Sequence, residues 1–432
     1  MVPKSEISPL IAANERSHSR TSSYWPSLLT EGYENNNSTK RQRLGIHFTL
    51  FLLIAVFFTL IFCFKGEDLL HIGRSRIVAV DDAEEHLLDI GNGMEIWFRT
   101  WGRTDGIPVV FVHGGPGNAI ADYFGNSNQR FFADANNSFF VIEVDQRGTG
   151  NSRPSVRDNW ENMKYYADIS IDKICQDFEK VREYLGIGEW LVWGGSFGSS
   201  IAINYGERYP ESCMALILRG IYTDTVEEVY AVYSREVYLN NSKRLLEFDI
   251  LYNFAAQYVE RQEKHDKKPN PLDPNDAERL IRVYAEMISA GNRLATWHWF
   301  VFENNLMEQN PKNLLDPDEI DENFFRESLS VAFFETRLWL HGSFEQPTSD
   351  LMNPQKIENL TMPVWICQGQ YDEVCPPKYA ENFATAVQPT GKSPRIVSRF
   401  VNGSHEDTDP AIEDCLQWSS REFVDYTRNP LR

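Results

Sequence analysis

The chain has 432 residues, of which 42% are hydrophobic and 13% aromatic, with Gly and Pro at ordinary levels. That is enough to bury a large core in one big domain or two smaller ones, and it sets aside collagen-like and wholly disordered chains. The net charge of −20 argues against nucleic acid as a partner, because phosphate binding needs clustered positive charge.

Residues 1–43 are rich in Ser, Asn and charge and read as a disordered tail. They carry six basic and four acidic side chains, so the remaining chain holds a net −22. Leu44 to Phe64 follows as 21 residues without a formal charge. At 1.5 Å per residue such a run spans the roughly 30 Å hydrocarbon layer, which predicts a transmembrane signal-anchor helix over 44–64. Bulky Phe62-Cys63-Phe64 makes a poor signal-peptide cleavage site. Lys40, Arg41 and Arg43 precede the run, whereas Lys65 after it is offset by Glu67 and Asp68. The positive-inside rule then predicts a single-pass type II protein, with a cytosolic tail and the rest of the chain lumenal or extracellular. Glu6-Ile7-Ser8-Pro9-Leu10-Ile11 resembles the acidic dileucine signals of lysosomal and vacuolar membrane proteins, so an endosomal, lysosomal or vacuolar membrane is the expected address. Residues 65–80 read as a linker.

From about residue 80 short β-rich runs alternate with helical stretches. Glu95 to Thr100 alternates like a half-buried strand, and Pro108 to Val112 and Phe139 to Val144 are solid apolar runs. Ile171 to Leu185 has helical spacing. A strand at Trp190 to Trp193, a helix from Phe197 to Tyr209 and a strand at Ala215 to Leu218 follow. This rhythm predicts a mostly parallel, doubly wound α/β sheet over 81–220 and 354–432. It breaks over 221–353, where helical patterns such as Asp276 to Ala290 predict an inserted helical cap. Strands resume at Pro363 to Cys367 and Arg395 to Val401. A cap over the C-terminal edge of such a sheet would roof a substrate pocket.

The apolar strand before Gly194-Gly195-Ser196-Phe197-Gly198 reads as a nucleophile elbow, with small residues flanking a strained serine. Serine needs a base and an orienting carboxylate. In doubly wound hydrolases these follow in the order acid, then His. Asp372 closes Gly369-Gln370-Tyr371-Asp372 after one resumed strand, with Glu373 as a fallback, and His405 lies in a loop after the last strand. The other histidines beyond the elbow, His265, His298 and His341, fall in the cap. An oxyanion hole needs two backbone N–H groups. Phe197, after the nucleophile, and Gly115, in His113-Gly114-Gly115-Pro116-Gly117, are placed to supply them.

Together with Asp145-Gln146-Arg147-Gly148-Thr149-Gly150-Asn151-Ser152, these motifs resemble prolyl aminopeptidases (proline iminopeptidases), α/β-hydrolase serine peptidases, over about residues 85–425. The resemblance implies Ser196 as nucleophile, Asp372 as orienting acid and His405 as base. It also implies that cap carboxylates bind the substrate's free N-terminal amine. Counting from Arg219-Gly220-Ile221-Tyr222 gives Glu228, Trp299-Phe300-Val301-Phe302-Glu303 gives Glu303, and Glu335 matches a further family glutamate. The expected substrates are short peptides with a free N-terminus, preferentially proline, cleaved through an acyl-enzyme without metal or cofactor. Val229-Tyr230-Ala231-Val232-Tyr233 and Phe302 depart from the family pattern where the proline pocket would form. A histidine base must be neutral to accept a proton, so the rate is expected to fall on the acid side. The alternatives are an esterase or amidase of the same fold without amine recognition, and a non-catalytic binding module.

Cys175, Cys213, Cys367, Cys375 and Cys415 lie beyond the apolar run, and no pair has zinc-ligand spacing. Five is odd, so at least one stays unpaired in a lumenal monomer, and one or two disulfides are allowed. Asn136, Asn240, Asn359 and Asn402 each head an Asn-x-Ser/Thr sequon.

Overall fold

The computed structural model describes residues 83–120, 127–132, 138–263, 270–307, 322–345, 351–387 and 395–428. The N-terminal tail, the apolar run at 44–64 and the linker at 65–80 lie outside the described residues, as does Asn136. Among the described residues no helix is long and apolar enough to cross a membrane.

Eight strands form one sheet in the order β1-β2-β4-β3-β5-β6-β7-β8. They are β1 (Glu84–Gly91), β2 (Met94–Gly102), β3 (Ile107–Val112), β4 (Phe139–Val144), β5 (Trp190–Gly195), β6 (Cys213–Arg219), β7 (Val364–Gly369) and β8 (Ile396–Val401). Neighbours from β4 through β8 pair in parallel, and β1 and β2 add an antiparallel edge. The edge strand β1 had no counterpart in the sequence reading. It alternates exposed and half-buried residues, so it offers no apolar run to find.

The central strands are apolar throughout because both faces are covered. Val110, Val112, Val192, Leu216 and Leu218 face one core cluster, and Val109, Phe111, Leu191, Trp193 and Ile217 face the other. The first cluster takes in α1 (Ile171–Tyr184) and α2 (Phe197–Arg208). The second takes in α9 (Pro410–Arg428) through Ile412, Leu416 and Phe423. One disulfide joins Cys367 of β7 to Cys415 of α9, while Cys175, Cys213 and Cys375 are free and buried.

Between β6 and β7 the chain is helical. This stretch holds α3 (Val226–Tyr233), α4 (Ser242–Gln262), α5 (Ala277–Ser289), α6 (Arg293–Met307) and α7 (Glu322–Trp339), the last running into a π-helical turn at Leu340–Glu345. After β7 comes α8 (Pro377–Val387). Polar side chains cap the starts of two cap helices. Asn241 accepts from Arg244 N–H, and Asp276 accepts from Arg279 N–H.

Candidate active site

Ser196 sits between β5 and α2 with φ 56° and ψ −134°, a left-handed conformation that is costly for a residue with a side chain. The crossing is tight enough to demand glycine beside it. A Cβ on Gly194 would lie 2.3 Å from the Gly198 carbonyl oxygen, and one on Gly198 would lie 2.4 Å from that of Val112. The strain therefore holds the serine side chain clear of the turn, at the head of a helix.

Two loops from the C-terminal ends of later strands meet it there. His405 Nε2 is 3.0 Å from Ser196 Oγ, and His405 Nδ1 is 2.9 Å from Asp372 Oδ2. The separations in sequence are 209 and 33 residues, so only the fold brings the three together. Asp372 Oδ1 accepts from the backbone N–H groups of Val374 and Cys375, and Oδ2 accepts from the Gln368 side chain at 3.2 Å. The carboxylate is thus locked by its own loop and strand. Glu373, the fallback acid, points instead to Arg244. This geometry lets the imidazole take the serine proton while Asp372 fixes the ring orientation.

Arg219, at the end of β6, ties both partners. Its carbonyl accepts from Ser196 N–H at 2.8 Å, and its guanidinium donates to the His405 carbonyl at 2.8 Å.

The glycine-rich loop after β3 packs on the nucleophile. A Cβ on Gly114 would stand 3.0 Å from Ser196 Cβ. The loop is held by His113, which is fully buried. Its Nε2 accepts from Gln146 N–H at 3.1 Å, and its carbonyl accepts from the Gln146 side chain at 2.8 Å. Burial pushes the His113 imidazole down to about 4, so it stays neutral and keeps an acceptor nitrogen for Gln146. The sequence reading used this histidine only as a motif letter, because the pairing with Gln146 depends on β3 and β4 lying side by side. Arg147 of the same second motif forks onto Asp177 of α1 with two 2.6 Å bonds.

One cavity is lined by Ser196, by Gly115 and Phe197, and by all three glutamates. Phe197 is the first residue of α2, where backbone N–H groups have no intrahelical partner. Gly115 has φ 110°.

The glutamates fall into two kinds. Glu228 is the third residue of α3 and closes a capping box with Thr225. Its oxygens accept from the backbone and hydroxyl of both Thr223 and Thr225. Glu303 of α6 accepts from the Tyr233 hydroxyl, and Glu335 of α7 accepts from the Trp299 indole at 2.7 Å. The rings of Tyr233 and Trp299 stack at 5.0 Å, so the two carboxylates sit behind one aromatic pair. Among the described residues neither has a lysine or arginine partner. Burial pushes the Glu303 carboxyl up to about 7, and burial together with the nearby Glu303 charge raises Glu335 well above its ordinary range. The family resemblance offers all three glutamates as amine ligands. The carboxylates without a full set of donors are Glu303 and Glu335. Among the described residues no cluster could hold a metal ion.

The α/β-hydrolase fold family matches residues 107–409. The chain belongs to the α/β-hydrolase family. Within it the chain is similar to the proline iminopeptidase of Neisseria meningitidis serogroup B, 29% identical over 344 residues, which are 76% of this chain and 92% of that protein. The proline iminopeptidase of Arabidopsis thaliana is 28% identical over 312 residues, covering 70% of this chain and 71% of that one. That of Xylella fastidiosa strain Temecula1 is 29% identical over 354 residues, 81% of this chain and all of that one. These relatives bear out the resemblance carried by the motifs. A solved Pseudomonas aeruginosa structure assigned as an epoxide hydrolase matches with a TM-score of 0.50 at 14% identity, over 82% of this chain and 99% of that one. At that identity the α/β-hydrolase likeness is one of fold alone.

Proposed function

We propose that the chain is a serine aminopeptidase that releases an N-terminal residue, preferentially proline, from short peptides. The observation that carries this is the single cavity shared by Ser196 and by two carboxylates, buried Glu335 and half-buried Glu303, that have no cation of their own among the described residues. A buried carboxylate pair without a counter-ion is costly unless a ligand brings the charge. An N-terminal ammonium brings it, and an internal peptide bond does not.

In this reading the ammonium docks on Glu303 and Glu335, which sets the first peptide carbonyl against Ser196. Ser196 Oγ bonds to the carbonyl carbon as its proton passes to His405. The N–H groups of Gly115 and Phe197 hold the oxyanion. The C–N bond then breaks as His405 gives the proton to the leaving amine. Water, losing a proton to His405, splits the acyl-enzyme and frees the amino acid. Apolar walls from Tyr222, Val229 and Val232 suit a small apolar ring such as proline. The 29% identical Neisseria relative bears the name proline iminopeptidase and supports the same preference. The test is a pair of reporters, prolyl and acetyl-prolyl, assayed side by side. The free amine is expected to be cleaved at least ~100-fold faster, since a blocked amine leaves the buried carboxylates unpaired. Equal rates would remove the amine dock.

We further propose that residues 44–64 anchor the protein as a type II membrane protein with this domain on the lumenal or extracellular side. The uncharged run, the basic residues before it and the dileucine-like hexamer support this. So do the Cys367–Cys415 disulfide, which suits an oxidising compartment, and the exposed sequon asparagines Asn240 and Asn402. Protease protection of sealed vesicles tests the topology: a catalytic domain digested on the cytosolic face would reverse it.

A further inference from the structure

We infer that Arg244 is a positioning residue that ties the helix bearing Glu303 to the loop bearing Asp372, and so fixes the distance from the amine dock to the nucleophile. The inference rests on the amine-docking reading above.

Arg244 lies in the first turn of α4, well away in sequence from both partners, and its side chain is only 7% exposed. Its guanidinium reaches two elements at once. Nη1 donates to the carbonyl of Asn305, and Nη2 donates to that of Leu306 at 3.2 Å. These are carbonyls of the last turn of α6, which have no intrahelical donor. Glu303 sits on that same turn, two residues before Asn305. On the other side Nε and Nη2 donate to Glu373 Oε2 at 3.2 and 3.1 Å. Glu373 follows Asp372 directly, and its neighbours Val374 and Cys375 both hold the Asp372 carboxylate and line the cavity. Glu247, one turn along α4, steadies the fork at 3.1 Å. Phe248 of α4 also packs edge-on against Phe302, beside Glu303.

Arginine suits this task because its planar fork bonds in several directions without losing its shape, which the lysine point charge cannot do. An exopeptidase needs such a ruler. Docking the amine specifies the cleaved bond only if the dock and the nucleophile keep a fixed spacing, and a misplacement of about 1 Å can cost on the order of 10²-fold in rate.

The test uses the full chain with Arg244→Lys, Arg244→Met and Glu373→Gln. Three readouts are taken: kcat and KM on a prolyl reporter, the rate of Ser196 labelling by a small fluorophosphonate, and the melting temperature. The label needs the triad and no amine, so it separates the ruler from the catalytic centre. The expected result for Arg244→Met is a fall in prolyl turnover on the order of 30-fold or more, chiefly in kcat, with labelling within about threefold of the unaltered chain. Arg244→Lys and Glu373→Gln should move the same way by a smaller factor, and they keep the inference testable should Arg244→Met not fold. A parallel loss of labelling would overturn it by making Arg244 a prop of the triad. Unchanged turnover in the folded variants, with or without a lower melting temperature, would overturn it as a merely structural contact. Equal cleavage of prolyl and acetyl-prolyl reporters by the unaltered chain would remove the dock itself and this inference with it, whereas a selective unaltered chain whose folded variants keep full prolyl turnover removes only the inference.

Discussion

The sheet side and the cap side of the cavity both present buried carboxylates, yet they are built oppositely. Asp372 receives two backbone N–H groups and a Gln368 amide besides the His405 ring. Among the described residues Glu303 and Glu335 receive one donor each, a phenol and an indole. An acid meant to orient a neighbour is saturated with donors, because any spare capacity would let it turn. An acid meant to receive a ligand's charge is left short, because the ligand must supply what is missing. Hydrogen-bond saturation therefore separates the two tasks more sharply than burial does, since Asp372 and Glu335 are equally buried.

The contrast breaks most readily at the triad. Ser196→Ala is expected to reduce prolyl-reporter turnover by about 10⁴-fold or more, and Asp372→Asn by an amount of similar order, because the imidazole then adopts the wrong tautomer. Neither change touches the dock, so binding of a cationic substrate such as prolinamide should survive in both. Loss of that binding, read by calorimetry, would mean that the two sides are not independent.

Next in size is the dock. Glu335→Gln is expected to lower kcat/KM on the prolyl reporter by roughly 10²- to 10³-fold, as for removal of one partner from a buried charge pair. Fluorophosphonate labelling should stay unchanged. The same change should raise stability above neutral pH. A carboxyl whose folded pKa lies above its unfolded value loses protons first in the unfolded chain. Stability is therefore lost as pH rises from the unfolded value of 4.5 towards about 7, where Glu303 ionises in the fold. Removing Glu335 removes its share of that loss, and a melting temperature a few degrees higher at alkaline pH is expected. A lower one would contradict the unpaired-charge account.

The same directions give a pH signature. The empty dock must shed protons before it can take an ammonium. Affinity for a cationic ligand should then fall as pH drops below about 7, and binding near neutrality should release a proton. Calorimetry of prolinamide on the Ser196→Ala variant, in buffers of different ionisation enthalpy, measures that release directly. Binding with no proton exchanged would show the carboxylates already ionised in the empty site.

How much of this was legible in the sequence follows from distance along the chain. The elbow is local: five residues, a sharp turn and the glycines that permit it can be read without a fold. Asp372 and His405 are not local to Ser196, but the order of strands in an α/β-hydrolase assigns a loop to each. Glu303 and Glu335 were named through the family resemblance alone. Nothing near them marks an amine dock, because what makes one is the absence of cations in three dimensions. The donors Tyr233 and Trp299, the brace of Gln146 on His113, the Arg219 tie and the Cys367–Cys415 pairing were missed for the same reason. Each joins residues that only the packed sheet and cap bring together. The apolar run at 44–64 stands apart, since its membrane reading rests on length and apolarity alone and the run lies outside the described residues.

Glu228 gives the smallest effect and the sharpest test of the contrast. It lines the same cavity and belongs to the same cap, so proximity alone would make it a third ligand for the amine. Its oxygens, however, already accept from Thr223 and Thr225, like those of Asp372 rather than those of Glu335. Those four donors leave little capacity for a ligand, although burial still raises its carboxyl. Glu228→Gln would turn an NH₂ group toward backbone N–H groups that need an acceptor. A stability loss of about 1 kcal/mol is expected, the usual scale for a damaged helix cap. The ratio of prolyl to acetyl-prolyl cleavage should move by less than about threefold, against the far larger change at Glu335. If the two glutamates instead shifted that ratio equally, saturation by donors would not distinguish an orienting acid from a binding one, and the division of the cavity into two sides would lose its basis.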